Sequence, residues 1–281
     1  MPEGPELRIL RDQLQVIVGH YVLSLEMEKW LSKKHSLPSF YPAKIRAIES
    51  KGKKLCFIFD SGQLVVSLGM EGHFAWGKPK HLGASLTIGM PLEFTLGFPI
   101  EWQIFSLTKM VYYGDSRHFG HFQWYPNGIE IDVGYDLLAS SLVNQNETLD
   151  NALKLWRGWK RRFPDWQLCQ ALMSQKLFAG IGNYCKSECM YRARIRPDRL
   201  LKDLTENEDL VILNEAILIL LEAYRAGGTT LFTFTGMEEE SGPYVNQLQV
   251  YRRKTDNFGY TVKQVELKDK RTSHFVPELQ K

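Results

Sequence analysis

The first strong hydrophobic pattern in the chain covers residues 6–18. Apolar side chains recur there at helical spacing, at Leu7, Leu10, Leu14 and Ile17. This spacing predicts an amphipathic helix, because residues three or four apart share one side of a helix. Gly19 predicts its end, since glycine is favoured just past the last helical residue. Such a helix would hold the residues before it against a domain instead of leaving them frayed.

Between Tyr21 and about residue 131 the pattern changes to short runs in which apolar and polar residues alternate. These runs are typical of strands, and they cover Lys44–Glu49, Lys54–Phe59, Gln63–Leu68, Leu92–Leu96 and Met110–Tyr113. Asp60-Ser61-Gly62 predicts a hairpin turn between two of them. Several short strands of this kind favour an antiparallel sandwich or flattened barrel.

The C-terminal half is predicted to be mainly helical. After a polar stretch that we interpret as the domain junction, helical patterns cover residues 151–162, 166–178, 183–193 and 210–226. The last of these is apolar nearly all round. Because it contains Glu215 and Glu222, it is predicted as a core helix and not as a membrane span.

The end of the chain carries a different pattern. Residues 229–244 have the composition of a mobile loop, and strand patterns follow near residues 260–267 and 272–276. The segment Lys268–Arg271 joins the two strands, which predicts a hairpin with a cationic tip.

Composition narrows the class of protein. The 281 residues suffice for one large or two ordinary domains, and the formal net charge of +3 permits a nucleic-acid partner without requiring one. The excess positive charge lies after Tyr244. No apolar run approaches the roughly 20 residues of a membrane span, and no signal peptide precedes the first helix, so we expect a soluble, intracellular protein.

The four cysteines fit an intracellular protein. Cys185 and Cys189 are four residues apart, which would place them on one face of a helix. A zinc site there would need further cysteine or histidine ligands at suitable spacing, and none lies nearby. Buried thiols are the favoured interpretation, and no cofactor is predicted.

The first six residues, Met1-Pro2-Glu3-Gly4-Pro5-Glu6, carry the most distinctive chemistry. Because proline is small, we expect Met1 to be removed in the cell, which leaves Pro2 with a free secondary amine. An α-amino group titrates near pH 8, so a useful fraction is an unprotonated nucleophile at neutral pH. Glu3 and Glu6 lie within reach for proton transfer. The alternative is that this segment is only a leader to the helix, with Glu6 in its first turn.

Three predicted loops contain residues that are unusual for solvent-exposed turns. Lys53 precedes a strand, Met70 lies between glycines, and Arg117 and Phe119 share a third loop. An apolar side chain beside a cation suits insertion into a stack of DNA bases. The alternatives are packing at the rim of a core for Met70 and Phe119 and a solvated turn lysine for Lys53.

The turn Gly180-Ile181-Gly182-Asn183 joins two predicted helices. Backbone N–H groups at the start of the second helix offer a site for a phosphate. The alternative is an ordinary helical hairpin.

Taken together, these segments resemble the formamidopyrimidine-DNA glycosylase/endonuclease VIII family, bifunctional enzymes of base-excision repair. The segments that carry the resemblance occur in the family's order and spacing: residues 2–6, 51–53, 68–72, 115–120, 180–183, 227–231 and 248–251. The resemblance implies an α+β fold with an N-terminal antiparallel β-sandwich flanked by helices. It also implies a C-terminal helix–two-turn–helix domain with a β-hairpin finger.

The resemblance assigns catalytic roles to four residues. Pro2 would be the nucleophile that displaces the damaged base and forms a Schiff base at C1′, and Glu3 would protonate the opening sugar and transfer protons during elimination. Glu6 matches a buried carboxylate near the site. Lys53 matches a lysine that contacts a phosphate near the lesion and assists base loss.

The resemblance also assigns DNA contacts. Met70, Arg117 and Phe119 match the residues that fill the gap when the damaged nucleotide flips out, a step that costs a few kcal/mol. Asn183 matches the phosphate-binding residue of the helix–two-turn–helix motif.

The tail departs from the family pattern in one decisive respect. Family members commonly end in a four-cysteine zinc finger, but residues 252–281 contain no cysteine, so no metal is predicted there. The tail instead resembles the zincless finger of the endonuclease VIII-like subgroup, with Arg271 in the place of the finger arginine that grips phosphates. Smaller departures are Cys185, where tyrosine is common, and His118, where arginine is common.

The predicted domains follow from these segments. They are a catalytic β-sandwich over residues 1–135, a linker over 136–150, a helix–two-turn–helix domain with a lesion-capping loop over 151–246, and a zincless finger over 247–281.

The predicted substrate is damaged double-stranded DNA, with single-stranded DNA as an alternative, and the predicted protein is a monomer found with DNA inside the cell. The zincless tail favours oxidised pyrimidines, hydantoins and formamidopyrimidines. The length of the loop at residues 229–244 favours the alternative of an enzyme that prefers 8-oxoguanine. A second alternative is a damaged-DNA-binding protein without catalysis, against which the retained Pro2, Glu3, Glu6 and Lys53 speak.

Overall fold

The computed structural model describes residues 2–35, 37, 41–229 and 243–281, and of Glu101 only the backbone. The predicted capping loop therefore lies, apart from its two ends, outside the described residues, as does Met1. Contacts divide the chain into two compact units. Among the described residues the first comprises Pro2, Glu6–Ile131 and Thr229, and the second comprises Glu3–Pro5, Asp132–Gly228 and Pro243–Lys281.

The N-terminal helix is confirmed. Helix α1 spans Gly4–Gln13, and its last turn tightens into a 3-10 helix at Leu14–Ile17. All four apolar residues of the predicted stripe are at most 2% exposed. Gly19 follows the helix with φ +88° and donates its N–H to the carbonyl of Ile45, at 2.8 Å. Its positive φ is the left-handed conformation that glycine adopts readily after a helix.

The first unit is built on an eight-stranded antiparallel sheet with the order β5-β7-β6-β1-β2-β3-β4-β8. The strands are β1 Tyr21–Met27, β2 Ala43–Lys51, β3 Lys54–Phe59, β4 Gly62–Ser67, β5 His73–Ala75, β6 Leu82–Pro91, β7 Phe105–Gly114 and β8 His121–Tyr125. A short helix, α2, spans Lys29–Lys34 after β1. The predicted hairpin turn between β3 and β4 is confirmed, since Phe59 pairs with Gly62.

The sheet folds over on itself to make the predicted sandwich. Strands β1 and β2 pair at only two positions, Tyr21 with Lys44 and Val22 with Ala43. Side chains from the four strands on either side of this seam enter one buried cluster, including Phe57 from β3 and Phe74 from β5. The two half-sheets therefore enclose a common core, and the predicted α+β class is confirmed.

One predicted strand is wrong. Residues 92–96 form a loop with a 3-10 turn at Glu93–Thr95, which follows the end of β6 at Pro91. The Thr95 hydroxyl donates to the carbonyl of Leu92 at 2.8 Å and stabilises the turn. Phe94 is 68% exposed, so the alternation of apolar and polar residues here does not mark a buried face. Strands β1, β5, β6 and β8 are absent from the predicted set.

The second unit is mainly helical. Its helices are α3 Leu137–Ser141, α4 Gln145–Arg162, α5 Leu168–Met173, α6 Asn183–Arg192 and α7 Glu206–Arg225, and two short strands, β9 Tyr135–Asp136 and β10 Phe178–Ala179, pair in parallel. The predicted core helix is confirmed as α7, which Thr205 and Glu208 cap reciprocally. The stretch predicted as a linker holds α3 and the start of α4, and Leu137 and Leu138 are buried.

The helix predicted over residues 166–178 is shorter than expected. Helix α5 ends at Met173, after which the carbonyl of Ser174 accepts the N–H groups of Leu177 and Phe178, both at 3.0 Å. This turn redirects the chain into β10. The helical spacing of apolar residues therefore extends past the last residue of the helix.

The predicted C-terminal hairpin is confirmed. Strand β11 spans Lys263–Glu266, strand β12 spans Thr272–Phe275, and they pair in antiparallel register from Lys263 with Phe275 to Glu266 with Thr272. No helix within the described ranges is long and apolar enough to cross a membrane.

Candidate active site

The carboxylate of Glu3 is fixed at the start of helix α6. Its Oε1 accepts the N–H of Tyr184 at 3.0 Å, and its Oε2 accepts the N–H of Cys185 at 3.4 Å. These are N–H groups of the first turn, where the helix dipole favours a negative charge. Glu3 is 2% exposed. Pro2, the residue directly before it, is also buried.

The predicted glycine turn makes this arrangement possible. A Cβ atom on Gly182 would overlap the carboxyl group of Glu3, so only glycine leaves room for the side chain. The N–H of Gly4 donates to the carbonyl of Gly180 at 2.9 Å and ties the N-terminal segment to the same turn. Two N–H groups predicted to be available for a phosphate therefore bind this chain's own carboxylate.

Asn183 connects the start of α6 to the finger hairpin. Its side-chain Nδ2 donates to the carbonyl of Thr272 at 2.9 Å. Thr272 begins strand β12 and directly follows the exposed Arg271. The structure thus holds two of the predicted DNA-contacting residues, Asn183 and Arg271, on adjoining parts of the second unit.

A buried ion pair anchors the tip of the hairpin. Lys186 Nζ lies 2.6 Å from Asp269 Oδ2, and the two side chains are 0% and 2% exposed. The other oxygen of Asp269 accepts the N–H of Arg271 at 3.3 Å. Sequence reasoning missed this pair, because no local pattern links residues 186 and 269.

The carboxylate of α6, Glu188, holds the chain that leads into the hairpin. Glu188 is fully buried and accepts the N–H groups of Gln249, Val250 and Tyr251 at 2.8–2.9 Å. Burial raises the pKa of Glu188, and the three N–H donors oppose that shift. Burial also raises the pKa of Tyr251, with a further contribution from the nearby negative charge of Glu3.

In the first unit, Glu6 anchors the start of the predicted capping loop. It is 1% exposed, and its Oε1 accepts both the N–H of Thr229 at 2.8 Å and the Thr229 hydroxyl at 2.9 Å. The predicted buried carboxylate therefore has a defined structural partner. The residues that follow Thr229, up to 242, lie outside the described part of the chain.

Lys53 lies in the hairpin turn between β2 and β3. Lys51 pairs with Lys54, so Gly52 and Lys53 alone form the turn. Gly52 has φ +57°, which the first position of a two-residue hairpin turn of this kind requires. The tight turn presents the half-buried Lys53 at a defined place on the end of the sheet.

Met70 and Arg117 meet across two loops. An Nη atom of Arg117 lies 3.5 Å from the Met70 sulfur, and Arg117 Nε forms an ion pair of 3.0 Å with Glu71. Glu71 also accepts the hydroxyl of Ser116. The role of Glu71 as the partner of Arg117 was not predicted, although Glu71 directly follows Met70 in the sequence and lies in the same loop.

Asp115 builds the loop that carries Arg117 and Phe119. This fully buried carboxylate accepts the N–H groups of Arg117 and His118 at 3.1 Å and of Gly120 at 2.6 Å. An aspartate that binds the backbone two and three residues ahead is a known turn signal, so this loop carries a signal visible in the sequence. The folded loop leaves Phe119 54% exposed.

The two loops also touch through their backbones. Gly69 has φ +66°, and a Cβ there would lie 2.7 Å from the carbonyl carbon of Phe119. His118 adopts φ +59° and stacks on Trp30, with ring centroids 4.1 Å apart. The structure therefore brings together Met70, Arg117 and Phe119, the three predicted gap-filling residues.

Two family sequence models match this chain. The formamidopyrimidine-DNA glycosylase N-terminal domain matches residues 1–122, and the formamidopyrimidine-DNA glycosylase H2TH domain matches residues 146–235. The formamidopyrimidine-DNA glycosylase of Pediococcus pentosaceus is 27% identical over an alignment of 298 residues. The alignment covers 100% of this chain and 99% of the relative.

Solved structures show the same fold. The MutM (Fpg) protein of Thermus thermophilus superimposes with a TM-score of 0.81 at 24% identity, covering 99% of this chain and 98% of the other. The Lactococcus lactis formamidopyrimidine-DNA glycosylase, bound non-covalently to DNA with an AP site, gives a TM-score of 0.77 at 23% identity with 99% of each chain covered.

The chain belongs to the formamidopyrimidine-DNA glycosylase/endonuclease VIII family. It is accordingly a DNA glycosylase with AP lyase activity, an enzyme of base-excision repair.

The cysteines of this family member are core residues. All four are buried, and burial raises the pKa of the Cys56 thiol to about 11 and of the Cys169 thiol to about 12. Within the described ranges, no group of three or more histidine, cysteine, aspartate or glutamate side chains is arranged to hold a metal ion.

Proposed function

We propose that this glycosylase removes oxidised pyrimidines, hydantoins and formamidopyrimidines from damaged double-stranded DNA and then cuts the strand at the abasic sugar. The nucleophile is the nitrogen of Pro2, which becomes a secondary amine once Met1 is removed. The observation that carries the proposal is the Glu3 carboxylate, held by the N–H groups of Tyr184 and Cys185. A carboxylate held in place on the residue that follows the amine can exchange protons with the reacting sugar without a prior ordering cost.

The chemistry follows from the amine. The nitrogen of Pro2 attacks C1′ as the bond from C1′ to the damaged base breaks, and the base leaves. The amine proton passes to the Glu3 carboxylate, which gives it to the ring oxygen as the sugar opens, and an iminium joins Pro2 to C1′. The iminium acidifies C2′, so loss of a C2′ proton expels the 3′ phosphate by β-elimination. A subsequent δ-elimination expels the 5′ phosphate.

The remaining site residues serve DNA binding and support. Lys53 contacts a phosphate near the lesion and assists base loss, while Asn183 and Arg271 bind phosphates beside it. The space left by the flipped nucleotide is filled by Met70, Arg117 and Phe119. The exposure of Arg117 and Phe119 supports this role. Glu6 supports the capping loop through Thr229.

The reaction needs no metal or redox cofactor, because the amine supplies the electron sink. We propose that the protein acts as a monomer, with the predicted domains at residues 1–135, 151–246 and 247–281 as its working parts and residues 136–150 between them.

Trapping with borohydride tests the mechanism. Reduction of the iminium leaves a covalent protein–DNA adduct, which we expect from the protein with Pro2 at its N-terminus on duplex DNA with one lesion. Pro2→Gly and a form that retains Met1 are expected to give at least tenfold less adduct. A non-catalytic damaged-DNA-binding protein would bind the duplex and form no adduct, and that result would refute the lyase mechanism.

A panel of defined lesions tests the substrate class. We expect faster release of thymine glycol and guanidinohydantoin than of 8-oxoguanine opposite cytosine under single-turnover conditions. The curated relatives are named formamidopyrimidine-DNA glycosylases, and the alternative of an 8-oxoguanine-preferring enzyme rests on the length of the loop at residues 229–244. A clear preference for 8-oxoguanine would establish that alternative. The same lesions in single strands measure the preference for duplex.

A further inference from the structure

One face of helix α4 carries four exposed cations. Lys154, Arg157, Arg161 and Arg162 are all exposed. Within the described part of the chain, none of the four forms an ion pair or a side-chain hydrogen bond, and Arg162 lies over the ring of Phe163, 5.2 Å from its centroid. The first three are spaced by three and four residues, so they form a stripe along one side of the helix. None of the residues assigned to the active site lies on this helix.

The opposite face of α4 fixes the rotation of the helix. Trp156 is fully buried and donates its indole N–H to Asp209 Oδ1 at 2.7 Å. Lys160 Nζ lies 2.8 Å from Asp209 Oδ2 and donates to the carbonyl of Leu204 at 2.6 Å. Because these contacts hold α4 on α7, the basic stripe faces solvent in a fixed orientation.

Positive charge is concentrated in the C-terminal part of α4. The four cations exceed the formal net charge of the whole protein, which is +3. The segment 151–162 contains no aspartate or glutamate, although it contains five basic residues. Some surface cations of the second unit do have acidic partners, as in Arg196 with Asp198 and Lys202 with Asp165.

The helix dipole explains only part of this pattern. Cations in the last turn of a helix stabilise it by interacting with the C-terminal carbonyls, which accounts for Arg161 and Arg162. The effect fades beyond that turn, so it does not account for Lys154 and Arg157. A purely solubilising surface would intersperse charges of both signs. On α4 the two acidic residues, Glu147 and Asp150, lie in the first two turns, and the last three turns carry cations alone.

We propose that the basic face of α4 is an accessory binding site for the phosphate backbone of duplex DNA. The stripe from Lys154 to Arg161 is about 10 Å long, at about 1.5 Å per helical residue. This length matches the rise of about three phosphates along one strand, at about 3.4 Å each. Contacts of this kind carry no sequence information and stabilise binding to undamaged DNA. The inference rests on the proposed function only in taking DNA as the polyanion that the enzyme meets.

Salt dependence of binding measures these contacts directly. Each neutralised phosphate contributes about 0.9 to the slope of log affinity against log salt, so losing two contacts lowers that slope by about 1.8. Raising KCl from about 50 to 200 mM weakens DNA binding by the unmodified protein. We expect the fold-loss of affinity to be about ten times smaller for Arg157→Gln/Arg161→Gln. The probe is an undamaged duplex, and the readout is fluorescence anisotropy with the full chain.

The control is Arg196→Gln/Lys202→Gln, which removes the same charge from paired surface positions of the same unit. We expect its salt slope to match that of the unmodified protein. Equal salt slopes for the two double variants would overturn the accessory site. Unchanged DNA binding in the α4 variant would also overturn it, and the face would then serve another partner such as an acidic protein. Borohydride trapping at low salt separates the two hypotheses: an α4 variant that still traps leaves the lyase mechanism intact. Thermal unfolding of each variant confirms that it is folded.

Discussion

The carboxyl group of Glu3 occupies the space where any residue other than glycine at position 182 would place its Cβ atom. Tyr184 and Cys185, the two residues whose N–H groups bind this carboxylate, follow Gly182 at the start of α6. The glycine of the turn is therefore matched to the glutamate that follows the proposed nucleophile. The helix–two-turn–helix motif of this protein thereby positions the carboxylate for which we propose the proton-transfer role.

The first prediction concerns Gly182→Ala. The added methyl group would push the Glu3 carboxylate away from the start of α6, and a displacement of about 1 Å at a reacting group can cost on the order of 100-fold in rate. We expect borohydride adduct formation to fall by about 10- to 100-fold, measured under single-turnover conditions.

The matched control is Gly158→Ala, because a Cβ at this helical glycine meets no atom within 4 Å. It should leave trapping unchanged and stabilise the protein by about 0.5–1 kcal/mol through helix propensity. Full activity of Gly182→Ala would show that Glu3 need not occupy its observed position.

The second prediction concerns the buried pair Lys186 and Asp269. Removing one partner leaves an uncompensated buried charge, so Lys186→Met and Asp269→Leu should each destabilise the protein by about 3–5 kcal/mol. The double variant Lys186→Met/Asp269→Leu should recover most of that loss. Urea unfolding measures all three.

Lys202 and Asp165 provide the comparison, since they pair at a similar distance but are 52% and 75% exposed. Lys202→Met should cost less than about 1 kcal/mol. Additive single-variant effects at residues 186 and 269, with no recovery in the double variant, would contradict a mutual interaction.

The third prediction concerns Phe119. Because this ring is 54% exposed, Phe119→Ala should change the free energy of unfolding by less than about 0.5 kcal/mol. If the ring stacks on bases beside the lesion, the variant should bind an abasic-analogue duplex about tenfold more weakly. Phe94→Ala, which removes another exposed ring of the same unit, should bind like the unmodified protein. Equal losses in both variants would exclude a specific role for Phe119.

The fourth prediction concerns His274 and acid stability. Burial lowers the pKa of His274 to about 4 from the usual 6.5, with further contributions from the positive charges of Lys186 and Arg252. As the pH falls from 6.5 towards 4, the unfolded chain takes up a proton at this residue while the folded chain does not. Stability from this residue is therefore complete above pH 6.5 and should fall by about 2 kcal/mol on going from about pH 7.5 to pH 5.

Denaturant unfolding of the unmodified protein and His274→Gln at both pH values measures the effect. The histidine Nδ1 has no hydrogen-bond partner among the described residues, so protonation in the folded state gains no compensating contact there. We expect the loss of stability between the two pH values to be smaller in His274→Gln by that amount. The loss that remains comes from other groups, such as His35, which titrate in both proteins. Identical pH dependence would mean that folding does not lower the pKa of His274.

Sequence patterns predicted the features that neighbouring residues encode. The stripe from Leu7 to Ile17, the turn at Asp60-Ser61-Gly62 and the apolar helix α7 are confirmed, because helical spacing and tight turns depend on residues close together in the chain. The family was recognisable from short motifs for a similar reason. Its chemistry requires particular residue types at particular spacings.

The same reasoning failed where burial was decided at a distance. Residues 92–96 alternate like a strand, yet Phe94 is exposed and the Thr95 hydroxyl closes a 3-10 turn. Helix α5 stops at Met173 because the chain continues into strand β10, where Phe178 and Ala179 pair with β9. Alternation and helical spacing record where apolar residues lie along the chain, but they do not show which neighbours cover them.

The sequence by itself therefore determined the family, the helical and hairpin segments and the residue types available for catalysis. Only the tertiary structure decided that Glu3 meets the N–H of Tyr184, 181 positions away, and that Lys186 meets Asp269, 83 positions away. Such contacts arise when a whole unit folds, because a buried charge must find compensating dipoles or an opposite charge wherever the chain brings them.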